Sequence, residues 1–84
     1  MNQIVPLNLV EKNEMFEIKK FLLNAKDAEH LRDLGAIEGK KAVVVENQKS
    51  SIVVKINDTR YALNKDFASK ILVNVLAKEN EFNI

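Results

Sequence analysis

The chain has 84 residues, 13 lysines and arginines against 12 aspartates and glutamates, 46% hydrophobic residues and no cysteine. One small domain fits that length. A formal net charge of +1 argues against a dedicated nucleic-acid binder or a polybasic membrane-surface protein, and the lack of cysteine excludes disulfides, thiolate metal sites and thiol catalysis.

The opening segment "MNQIVPLNLVEKNE" lacks a basic stretch followed by a long apolar core, so it does not read as a signal peptide. No apolar run reaches the ~18 residues of a membrane span. The expected location is therefore cytoplasmic, without direct membrane insertion.

Residues 4–10, "IVPLNLV", alternate around Val5, Leu7 and Leu9, which predicts a short strand. Pro6 cannot donate to a sheet ladder and places that strand at an edge. "EKNE" reads as a turn, with Asn13 best able to take a left-handed backbone. "MFEIKKFLL" predicts a second strand over residues 15–23. Its apolar face changes from Phe16 and Ile18 to Phe21 and Leu23, which a bulge at Lys19–Lys20 would reconcile.

A helix follows. Asn24 is a good N-cap, Asp27 falls in the first turn, and Ala28, Leu31 and Leu34 form a narrow apolar stripe. Gly35 fits the left-handed position past the helix end, and Gly39 fits the turn into the next strand. These structural-turn residues are the only two glycines in the chain.

"KKAVVVE" (40–46) and "SIVVKI" (51–56) are β-branched strands joined by "NQKS". Ile56-Asn57-Asp58-Thr59 predicts a two-residue hairpin, since Asn and Asp tolerate positive φ. "RYAL" (60–63) returns as a strand, Asn64 caps a short helix "KDFASK", and "ILVNVL" (71–76) closes the domain. Residues 77–84 are expected to be a polar tail in which Phe82 or Ile84 could dock. Core candidates are Val43, Val45, Ile52, Val54, Ile56, Leu63, Phe67 and Ile71. The expected fold is mainly β: a partly closed small barrel of five to six short strands with two short helices.

Read in order, "LRDLGAIEGKKAVVV" and "IVVKINDTRYALNKDFASKILV" resemble the bacterial ferrous iron transport protein A (FeoA) family. The features that carry the resemblance fall on Leu31, Leu34, Gly35, Ile37, Gly39, Ala62, Leu63, Ala68, Ile71 and Val73. It covers roughly residues 5 to 75. Departures are Glu38, where the family usually has proline, and Asn13, Ser50–Ser51 and Asn57–Asp58, where it often has glycine. The resemblance implies an SH3-like β-barrel in residues 1–76. It also implies a cytoplasmic accessory or regulatory role in ferrous iron uptake, with the membrane-bound ferrous iron transporter that carries a GTPase domain as partner. A similar barrel is the C-terminal module of metal-dependent transcriptional repressors, so a freestanding interaction module of that kind is the alternative.

Four site readings compete with plain structural ones. Asp27, His30 and Asp33 could meet on one helix face, and carboxylate plus imidazole suits ferrous iron. Three weak ligands on an exposed turn are more economically solvated polar residues, so no metal or cofactor site is assigned. Ser50, Ser51 and Ser69 have no sequence link to His30 and no P-loop is present, so no catalytic residues are assigned and the chain is read as a non-enzyme. Leu31, Arg32 and Ile37 are the candidate partner-binding residues, an apolar rim beside a cation. A proline-rich peptide site of the SH3 kind is poorly supported by four Phe, one Tyr and no Trp.

Overall fold

The computed structural model describes residues 4–78. Six antiparallel strands form one sheet: β1 (Ile4–Pro6), β2 (Glu14–Phe21), β3 (Lys41–Asn47), β4 (Ser51–Ile56), β5 (Thr59–Asn64) and β6 (Ile71–Lys78). Two α-helices, α1 (Ala25–Asp33) and α2 (Lys65–Ala68), and one 3-10 turn (Leu7–Leu9) are the other elements of the described residues. The strand order is β1-β6-β2-β3-β4-β5, which leaves β1 and β5 as the two edges of an SH3-like barrel.

The predicted first strand is shorter than expected. It stops at Pro6, and Leu7 to Leu9 coil into the 3-10 turn, burying Leu7 and leaving Leu9 exposed. The period-2 pattern does not settle the conformation here, because a coil after Pro6 buries Leu7 as well as a strand would. Pro6 sits on an edge strand, where its missing N–H costs no ladder bond. Asn13 does adopt positive φ (72°) in the following turn.

β2 changes face where expected. Its pairing with β6 slips between Ile18 and Lys20, and a second slip lies between Met15 and Phe16. Phe16 and Ile18 are buried, and Phe21 and Leu23 pack from the side. In α1, the Asn24 side chain accepts the Asp27 N–H at 2.8 Å, and Ala28 and Leu31 are buried. Gly35 ends the helix at φ 94° and Gly39 turns the chain at φ 90°. The Gly39 N–H donates to the Ile18 carbonyl at 2.7 Å and the Ile18 N–H to the Lys40 carbonyl at 2.9 Å. The glycine-bounded loop is thereby laid along β2 before β3 begins.

Four core candidates are less buried than expected. Val43 and Val45 are only half-buried, whereas Ala42 and Val44 point inward. The cause is register: Ala42 lies opposite the buried Phe16, so Val43 lies opposite Met15 on the other face. Leu63 and Phe67 are likewise partly buried, packed against the core. Ile52, Val54, Ile56 and Ile71 are buried as expected.

Asn57 and Asp58 both take positive φ, as a two-residue hairpin between β4 and β5 requires. Asn64 caps α2 by accepting the Asp66 N–H at 2.7 Å. Strand β6 runs two residues beyond Leu76, through Ala77 and Lys78. Residues 79–84, with Phe82 and Ile84, lie outside the described residues.

Candidate functional site

The apolar stripe of α1 does not cover the barrel completely. A partly open cavity of about 370 Å³ remains, with α1 on one side and β5 on the other. Leu31 and Leu34 come from the helix and its cap, Tyr61 and Leu63 from β5, and Phe16 and Val54 from the sheet floor. Tyr61 Oη donates to the Leu34 carbonyl at 3.5 Å, a long bond that ties β5 to the end of α1. The volume is at the small end of the ~300–1,000 Å³ typical of ligand pockets. It suits one or two large side chains.

The ionisable side chains on this cavity are His30, Arg60 and Tyr61, and no carboxylate from the described residues lines it. His30, which the sequence places on the solvated back of α1, instead reaches the cavity rim while remaining exposed. Among the described residues, no three His, Cys, Asp or Glu side chains come together as a metal site.

The three candidate partner-binding residues separate. Leu31 is 5% exposed, belongs to the core and lines the cavity wall. Ile37 is 47% exposed on the glycine-bounded loop and does not line the cavity. Arg32 is exposed and committed to neighbours. Its Nη2 donates to Glu38 Oε2 at 2.9 Å, its Nε to Glu38 Oε1 at 3.4 Å, and its guanidinium lies 5.4 Å from the centre of the Phe21 ring. The hydrogen bond from Arg32 holds the Glu38 carboxyl below the ordinary carboxylate range, and the same contact raises Arg32. Glu38 thus braces the loop through an ion pair.

Sequence reasoning missed Arg60, Tyr61 and Phe67 as cavity residues. The alternation of "RYAL" signals an inward Tyr61, but the gap it faces depends on where α1 lies. A further latch was also missed: Lys65 Nζ donates to Asn47 Oδ1 and, at 3.0 Å, to the Gln48 carbonyl. Asn47 Nδ2 in turn donates to the Val10 carbonyl at 2.7 Å.

The model of the FeoA domain matches residues 5–75. The chain belongs to the FeoA domain family. Among solved structures, that of an iron uptake regulatory protein (FeoA) superposes on this FeoA domain with a TM-score of 0.81 at 21% identity. It covers 88% of this chain and 100% of that one. The solution structure of the FeoA-like protein from Clostridium acetobutylicum gives 0.78 at 22% identity, with 93% of each chain covered. A manganese-dependent transcriptional repressor gives 0.79 at 14% identity, over 90% of this FeoA domain but 43% of the repressor. At these identities the likeness speaks for fold. No curated protein matches the FeoA domain sequence significantly. No helix among its described residues is long and apolar enough to cross a membrane.

Proposed function

We propose that this FeoA domain is a non-enzymatic, cytoplasmic accessory and regulatory protein of ferrous iron uptake. Its partner is the cytoplasmic part of the membrane-bound ferrous iron transporter that carries a GTPase domain. The observation that carries this reading is the family match over residues 5–75, nearly all of the described chain. The cavity between α1 and β5 supports it as the contact surface: an apolar recess with polar groups at its rim suits a protein anchor. Regulation would operate by differential binding, because a partner that binds two nucleotide states equally shifts neither.

The likeness to a manganese-dependent transcriptional repressor supports a second reading, an interaction module in metal-dependent gene regulation. With a net charge of +1, such a module would act through another protein rather than through DNA.

Affinity capture from native cells grown anaerobically under iron limitation separates the two. The first reading predicts enrichment of the GTPase-containing transporter with the wild type and its loss with a folded Leu34→Glu variant. Enrichment of a metal-dependent repressor without the transporter supports the second.

A further inference from the structure

The two edges of the sheet are treated differently. β1 is three residues long and carries Pro6, the kind of device that blunts an edge. β5 is six residues long, "TRYALN", with neither proline nor lysine. Among the described residues it pairs with β4 alone.

The backbone groups that β5 leaves unpaired follow from the hairpin. A two-residue turn closes on a hydrogen-bonded pair, here Ile56 with Thr59, and such pairs alternate with non-bonded ones along the ladder. Val54–Tyr61 and Ile52–Leu63 are therefore bonded pairs, and Arg60 and Ala62 turn their N–H and C=O groups to the free edge. The cavity adjoins that same edge. Four consecutive residues, Arg60 to Leu63, line it, although successive side chains of a strand point to opposite faces. Consecutive lining is what a recess beside an edge produces.

Charge adds a third constraint. Arg60 is exposed at the rim and has no ion-pair partner among the described residues. His30 faces the same space, and no carboxylate from the described residues opposes them.

We propose that the β5 edge binds an extended acidic segment of a partner protein by strand addition, with one large apolar side chain seated in the cavity between α1 and β5. Backbone groups of Arg60 and Ala62 hold the main chain. The apolar anchor faces the same side as Tyr61 and Leu63. The residues on either side of the anchor project to the opposite face, where Arg60 selects carboxylates. This deepens the proposed function by giving the chemistry of the segment that the site takes.

The test uses the full chain labelled with 15N and three capped synthetic peptides. One has a central phenylalanine flanked by glutamates, the second has lysines for the glutamates, and the third has alanine for the phenylalanine. The proposal predicts that the first peptide slows hydrogen exchange at the Arg60 and Ala62 amides and binds more tightly than the other two. Reversing one exposed charge, Arg60→Glu, should weaken the acidic peptide roughly three- to tenfold and favour the lysine peptide. Ala62→Pro removes an outward N–H without breaking a β4–β5 ladder bond and should abolish binding, with amide shifts confined to its neighbours.

Unchanged exchange at Arg60 and Ala62 in excess acidic peptide would overturn the proposal, as would equal affinity for the acidic and lysine peptides. Chemical shifts in cavity residues with sodium laurate, but none with any peptide, would overturn it in favour of a small amphipathic anion. The exchange readout in wild type needs no variant to fold. Transporter capture without peptide binding would sink this inference alone, and peptide binding without transporter capture would sink the proposed partner alone.

Discussion

Gly35 and Gly39 both hold positive φ, but they are not equivalent. A Cβ on Gly35 would meet the Asn57 Nδ2 at 3.0 Å, whereas one on Gly39 would meet nothing within 4 Å. Gly39→Ala should cost about 1–2 kcal/mol, the strain of a left-handed alanine, and Gly35→Ala somewhat more, because the Asn57 side-chain amide must also shift. Urea denaturation of the two variants checks the order; equal midpoints would refute the close approach. At Glu38, the depressed folded-state pKa means that the carboxylate's stabilising contribution is complete above its unfolded-state pKa and is lost as pH falls through the folded value. The stability advantage of wild type over Glu38→Gln should therefore be present at neutral pH, vanish in strong acid, and shrink in high salt because the pair is solvent-exposed. Thermal melts across pH and ionic strength read this directly.

At the scale of elements, burial is decided by register more than by composition. Val44 is 0% exposed and its neighbour Val43 is half-buried, so identical deletions should differ. Val44→Ala should cost about 2–3 kcal/mol through lost burial and a cavity, and Val43→Ala less than about 1 kcal/mol. What the sequence revealed and what it hid follow the same division. Asn24, Asn64, Asn13 and the Asn57–Asp58 turn carry local conformational preferences, so helix starts and turns were legible. The bulge at Ile18–Lys20 was legible because apolar residues change face there. The uninterrupted run Ala42 to Val45 has no alternation, and only its pairing with β2 decides which side chains enter the core. Leu7 misled for a related reason: a coil after Pro6 buries it as well as a strand would.

For the whole molecule, the candidate site is a product of non-local geometry. Leu31 was legible as an apolar helix position, yet its burial makes it a wall of the site and a core residue together, so Leu31→Glu would report on folding. Arg32 is occupied by Glu38 and Phe21, and its local sequence gives no sign of either contact. Arg60 and Tyr61 become site residues only because β5 ends the sheet and α1 lies across from it. Leu34, 36% exposed on the cavity wall, is the better probe. A glutamate there places a charge in the recess without removing a fully buried side chain.

The decisive measurement is binding of the purified FeoA domain to the purified ferrous iron transporter in lipid nanodiscs, with GDP and with a non-hydrolysable GTP analogue, using wild type and Leu34→Glu. The account predicts saturable binding by wild type, an affinity that differs between the two nucleotide states, and a clear loss in the folded variant. Absence of binding in both states, or equal binding by wild type and Leu34→Glu, would contradict it.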